Sequence, residues 1–194
     1  MDFNLPNVLT LLRVVLVPVM LAFLLANTAS GDVIAAIVFT AASVTDFLDG
    51  YLARSRGLVT TFGKVMDPLA DKLLVIGALL ALVSIERLAA WVAMVIIARE
   101  LAVTAMRTAA GYYGVVVPAG TFGKVKTVIQ IIAILALIAS KSSPLWVDLL
   151  VYLSVAVTVA SGLDYFFVIR RQIVEAEEKR RRGAADQPEP ELVL

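Results

Sequence analysis

Asp46, Asp49, Gly50 and Ala53 recur at i, i+3, i+4 and i+7, so on a helix of 3.6 residues per turn they form one narrow stripe. Two carboxylates and two minimal side chains then face the same way. Farther on, Asp67 and Asp71 are again four apart, with Pro68 between them at a position that suits the first turn of a helix. If the two helices lie side by side, four carboxylates converge. Like charges raise one another's pKa and desolvation adds to the cost, so such a cluster calls for cations, and divalent metal is the natural answer. The chain has no Cys and no His, which excludes thiolate and imidazole ligands, disulfides, Cys nucleophiles and Ser-His-Asp triads. Any metal must be held by oxygen, which favours Mg²⁺, Mn²⁺ or Ca²⁺.

The elements that would hold these residues are membrane helices. Of the 194 residues, 60% are hydrophobic and 17% charged, with a mean hydropathy of +0.91, far from the balance of a soluble domain. The expected fold is all-α, a polytopic bundle of six transmembrane helices at about 6–27, 33–54, 67–85, 88–110, 122–140 and 145–169, each long enough to span at ~1.5 Å per residue. Gly31 and Asp32 would turn the chain, residues 55–66 would link helices 2 and 3, Gly63 would ease that turn, and Asp67 would cap helix 3. Residues 1–172 form the expected single domain. A charged tail, 173–194, follows; Glu175 and Lys179, Glu177 and Arg181, and Glu178 and Arg182 are four apart, favouring a helical start, with disorder from Gly183 onwards.

Charge gives the bundle a direction. Arg54, Arg56, Lys64, Arg107, Lys124, Lys126 and the basic tail fall on one side, whereas Arg87 and Lys141 mark the opposite loops. By the positive-inside rule, both termini and the connection between helices 2 and 3 are cytoplasmic. Asp46 lies ~12 Å along the axis from Arg54, so the acidic stripe opens near that face. Other polar residues inside the spans need an explanation too. Asn7, Thr10 and Arg13 make a polar edge on helix 1; Arg99, Glu100 and Arg107 on helix 4 are too costly to leave in lipid and should point into the bundle or a wet cavity. Neighbours in sequence, Arg99 and Glu100 are not expected to face each other. With Lys124, the two arginines supply three cations, more than an uncharged alcohol requires and suited to a phosphorylated one.

The spacing D-x2-D-G-x2-A-R-x8-G-x3-D-x3-D, carried by Asp46, Asp49, Gly50, Ala53, Arg54, Gly63, Asp67 and Asp71, resembles the signature of the CDP-alcohol phosphotransferase family, membrane enzymes that join a CDP-activated lipid to a small alcohol. The resemblance implies two divalent ions, Mg²⁺ or alternatively Mn²⁺. Asp46, Asp49 and Asp67 would be ligands, and Asp71 both a ligand of the second ion and the general base. It implies room for the nucleotide at Gly50 and Ala53, a phosphate contact from Arg54, and contacts to the CDP portion from Asn7, Thr10 and Thr60. The opening NLPNVLTLLRVVLVP, the Arg99-Glu100 pair with Arg107, and Gly123 to Thr127 (GKVKT) are similar to bacterial members whose donor is CDP-diacylglycerol and whose acceptor is sn-glycerol 3-phosphate. That similarity implies that Arg99, Arg107 and Lys124 receive the acceptor's phosphate, with Lys126 at neighbouring headgroups and Glu100 a charge partner inside the bundle. A homodimer in the bacterial cytoplasmic (inner) membrane, among membrane lipids and with no nucleic-acid partner, goes with it.

Three other readings compete. A family member could take inositol phosphate or a second phospholipid as acceptor. A cation-coupled transporter would place its carboxylates near the midplane between repeated halves, whereas here they lie toward the basic side. A scaffold without an active site would tolerate Asp71→Asn.

Overall fold

The structure, a computed structural model, describes residues 5–56, 61–112, 121–142 and 144–185; at the facing ends of the second and third helices, including every signature aspartate, it describes the backbone and not the side chains. Six helices follow one another: α1 Leu5–Leu25, α2 Ala29–Arg56, α3 Thr61–Ser84, α4 Ala90–Tyr112, α5 Thr121–Ala139 and α6 Leu145–Ala185. Among the described residues there is no strand. Helix α1 packs on α2 and α3, α6 packs on α4 and α5, and α2 against α5 joins the two groups.

The bundle is apolar inside and outside. Its core includes Met20, Leu24, Phe39, Leu74, Leu82, Ile134 and Val147, while Leu11, Val15, Ile37, Met94, Leu149 and Phe167 face outward. An apolar exterior of this extent needs lipid or another apolar surface against it. Helices α1, α5 and α6 each hold an apolar window long enough to cross a bilayer. The described apolar stretches of α2 and α3 are Ala29–Thr45 and Lys72–Ser84. In α4, Arg99, Glu100 and Arg107 interrupt the apolar run. This is a membrane protein.

Three boundaries differ from the sequence expectation. Helix α2 begins at Ala29, so Gly31 and Asp32 lie within its first turn. The turn sits earlier: Asn27 takes a left-handed φ of 52°, which Asn tolerates well, and Thr28 Oγ1 accepts the Gly31 N–H at 3.0 Å as an N-cap. Asp32 then stands where a carboxylate suits the helix dipole. Helix α3 begins at Thr61, placing Gly63, Asp67 and Pro68 inside it. Asp67 therefore does not cap α3, and the described residues of the expected linker, 55, 56 and 61–66, are helical, with 57–60 outside the described residues. Pro68 removes one N–H that would bond the carbonyl four residues back, a cost the continuing helix absorbs near its start. Helix α6 runs unbroken past residue 172 to Ala185, so residues 173–185 continue the last span and Gly183 is helical, while the remainder of the expected disordered tail lies outside the described residues. Arg171 Nε donates to Glu175 Oε1 at 2.9 Å on that extension.

One end of the bundle is tied by a single arginine. Helix α3 closes in a Schellman turn, with Arg87 N–H on Leu82 O at 2.9 Å and Glu86 N–H on Val83 O at 3.1 Å, and with Glu86 at φ 60°. That turn projects Arg87 into the loops. Its Nη2 donates to Asp32 Oδ2 at 2.9 Å and Asn27 Oδ1 at 2.5 Å, and its Nη1 to Ile138 O at 3.0 Å. Lys141 adds a bond to Asn27 O at 3.4 Å and stands 4.0 Å from Asp32 Oδ2. The α1–α2, α3–α4 and α5–α6 connections thus meet on one buried guanidinium.

Candidate active site

The acidic signature lies toward the other end. Asp46, Asp49, Gly50, Ala53 and Arg54 all lie on α2, and Asp67 and Asp71 on α3; the two helices touch, and α1 packs against both. The side chains of these residues, and that of Asn7 on α1, are outside the described set, and Thr60 lies outside the described residues altogether. Among the described residues no group of three acidic side chains forms a metal site. What α2 and α3 bring to adjacent helices is a donor set of carboxylate oxygens without nitrogen or sulfur, and that set fits a hard divalent ion. Thr10 and Arg13, expected on a polar edge of α1, are both buried and both engaged with neighbouring groups. Arg13 therefore does not snorkel to the headgroups.

Next to this region is a cavity of about 290 Å³ between α3, α4, α5 and α6. Arg99 and Arg107 reach it from α4, and Lys124 and Lys126 from α5. The three cations expected from the sequence are thus brought together. Arg99 and Arg107 are eight residues apart, ~12 Å along the helix, and α6 steers both. Arg99 Nη2 donates to Ser161 Oγ at 2.6 Å, and Arg107 Nε donates to Tyr165 OH at 3.0 Å, its guanidinium carbon 5.4 Å from the Tyr165 ring centroid, close enough for a cation–π contact. The buried Arg99 Nε has no hydrogen-bond partner among the described residues, a donor left for a ligand or water.

Two details depart from expectation. Lys126 is buried and paired with Glu100, so it faces the bundle interior and not the headgroups. Arg99 Nη1 also meets Glu100 Oε1 at 3.5 Å; backbone neighbours on a helix diverge, but a long guanidinium arm can fold back to an adjacent carboxylate. Glu100 thus holds two cations in place, the interior charge partner the sequence suggested.

Sequence reasoning missed the α6 contribution and Lys72. Ser161, Asp164 and Tyr165 are spaced i, i+3 and i+4 and line the cavity together. The available signal was polar residues recurring on one face of an apolar span. Lys72 lines the cavity from α3, but in sequence it sits in the shadow of Asp71.

A hydrophobic helical bundle with an acidic motif on two adjacent helices and a cationic cavity beside it is suited to holding divalent cations and anionic groups at a membrane. The chain belongs to the CDP-alcohol phosphatidyltransferase family, which matches residues 3–160, and members of that family work with divalent metal ions. A Bacillus subtilis protein named CDP-diacylglycerol–glycerol-3-phosphate 3-phosphatidyltransferase is 44% identical, over 84% of this chain and 94% of its own length. A Mycobacterium tuberculosis protein named probable phosphatidylglycerophosphate synthase is 42% identical over 84% of this chain and 79% of its own. A Rickettsia bellii protein with the same name as the Bacillus one is 37% identical over 85% and 94%.

Proposed function

We propose that this protein transfers the phosphatidyl group of CDP-diacylglycerol to sn-glycerol 3-phosphate, releasing CMP and forming phosphatidylglycerol phosphate. The observation that carries the choice of acceptor is the meeting of Arg99, Arg107 and Lys124 on one cavity beside α3. Three cations around a small polar space suit a phosphate dianion, and the names of the three relatives point the same way.

In this reading the acceptor lies with its phosphate among the three cations and its free hydroxyl toward α3. The hydroxyl oxygen attacks the lipid-side phosphorus, its proton passes to the Asp71 carboxylate, and the bond from that phosphorus to the CMP oxygen breaks. Asp46, Asp49, Asp67 and Asp71 would hold two Mg²⁺ ions, or Mn²⁺, which when bound neutralise the diphosphate and acidify the attacking hydroxyl. Gly50 and Ala53 leave space for the nucleotide along α2, Arg54 contacts its phosphate, and Asn7, Thr10 and Thr60 contribute to the CDP portion. All six helices cross the bacterial cytoplasmic membrane, with both termini and the site on the cytoplasmic side and the chain working as a homodimer.

The test is CMP release by the purified protein with CDP-diacylglycerol, Mg²⁺ and one acceptor at a time. Release is expected with sn-glycerol 3-phosphate, and not with glycerol, inositol, inositol phosphate or phosphatidylglycerol. A preference for inositol phosphate or phosphatidylglycerol would move the protein to another branch of the family. Asp71→Asn should lower turnover about 10³-fold while nucleotide binding persists; unchanged turnover would remove Asp71 from the chemistry.

A further inference from the structure

A second, smaller cavity of about 60 Å³ adjoins the first. It is bounded by Ser43 on α2, one helical turn before Asp46, and by Gln130 on α5. Four residues belong to both spaces: Lys72, Glu100, Lys126 and Thr127. They mark the junction between the acceptor's cavity and the side of the bundle where the acidic stripe lies. Two of the four are cations, and their situations differ. Lys126 is held by Glu100, whereas Lys72 makes no hydrogen bond or ion pair among the described residues. It is partly buried, so bulk water screens it incompletely.

Lys72 is also one residue beyond Asp71 on α3. Successive helical residues are turned ~100° from each other, so one helix can present its carboxylate to the donor side and its ammonium to the acceptor cavity. The reaction proposed above drives a phosphate monoester toward a diphosphate, and the repulsion between the two anions is greatest as the new oxygen–phosphorus bond forms. A cation at the junction opposes that repulsion more in the transition state than in the bound ground state.

Resting on that reading of the acceptor, we propose that Lys72 is a catalytic residue whose ammonium contacts the transferring phosphate from the acceptor side and lowers the barrier to the approach of the two anions. Arg99, Arg107 and Lys124 bind the acceptor's phosphate at the far end; Lys72 acts where the bond is made.

The two roles separate kinetically. In steady-state CMP release, Lys72→Met should lower kcat about 10²-fold with the KM for sn-glycerol 3-phosphate within about threefold of the parent. Lys72→Arg should recover at least a tenth of the lost rate, since charge is retained. Arg107→Met should instead raise the acceptor KM more than tenfold with kcat much less affected. Thermal melting of each purified variant checks that it is folded; if Lys72→Met does not fold, Lys72→Gln is read in its place, a kcat within twofold of the parent's overturning the proposal. A Lys72→Met variant that changes only the acceptor KM, or neither constant, overturns it too. If the parent enzyme prefers a different acceptor, the function assigned above fails independently, and the same kcat comparison with that acceptor still judges Lys72.

Discussion

At the loop end of the bundle, Arg87 spends its donors on Asp32, Asn27 and the Ile138 carbonyl, while at the opposite end Arg99 keeps Nε without a partner and Lys72 stands between two cavities. Both ends bury cationic side chains in an apolar protein, at similar desolvation cost. The first has its charge matched inside the chain and joins three connections; the second has an excess of positive charge that no described residue matches. A network whose charges are matched within the chain fixes a structure, and one with unmatched charge leaves capacity for a ligand. Stability should therefore respond to changes at the first end, and catalysis to changes at the second.

The largest effect on the stability side is expected from Arg87→Ala. It leaves the Asp32 carboxylate buried, with only the half-exposed Lys141 at 4.0 Å and with Oδ1 already lacking a hydrogen bond. Removing one partner of a buried ion pair costs about 3–5 kcal/mol, read as a lowered melting temperature in detergent. The double variant Arg87→Ala with Asp32→Asn should recover part of the loss, because the uncompensated charge is gone. At a temperature where the variant remains folded, its acceptor KM should match the parent's. A changed KM there would mean that the two ends are coupled and that the division drawn above is wrong.

That division was only half visible in the sequence. Carboxylates at i, i+3 and cations inside an apolar helix stand out because lipid penalises them, so Asp46, Asp49, Arg99 and Arg107 could be singled out from one chain. Contacts between distant residues leave no such mark. Arg87 is 55 residues from Asp32 and 51 from Ile138, and Ser161 is 62 from Arg99; none of these pairs follows from periodicity. Helix starts failed for a local reason. Gly31-Asp32 looks like a turn, but the Thr28 hydroxyl caps the helix before it, and residues 61–66 carry no signal strong enough to stop a helix that Pro68 alone does not break. Lys72 escaped notice because its neighbour Asp71 dominates the motif.

Two glycines give a finer version of the comparison. A Cβ on Gly31 would lie 2.5 Å from the Phe23 carbonyl oxygen and 2.8 Å from Thr28 Oγ1, so Gly31→Ala must push α1 from α2 or break the cap. Neither a backbone carbonyl nor a capping hydroxyl can give way cheaply, and a loss of about 1–3 kcal/mol is expected, again with catalysis intact. Melting unchanged in this variant would show that the connection yields without cost and weaken the view of this end as rigid.

The smallest effect should have the opposite pattern. A Cβ on Gly162 would meet Arg99 Cγ at 3.1 Å and Nε at 3.9 Å, contacts with a flexible stem that can move by a few tenths of an ångström. Arg99 is held at its tip by Ser161 at 2.6 Å and Glu100 at 3.5 Å, so displacing the stem tilts the guanidinium relative to the cavity. Replacing Gly by Ala within a helix stabilises by roughly 0.5–1 kcal/mol when space allows. Gly162→Ala should therefore melt at or slightly above the parent's temperature while the KM for sn-glycerol 3-phosphate rises by roughly two- to fivefold, a loss below about 1 kcal/mol. Lowered melting with an unchanged KM would place Gly162 among the packing residues and take from Arg99 the sensitivity to position that a phosphate contact requires.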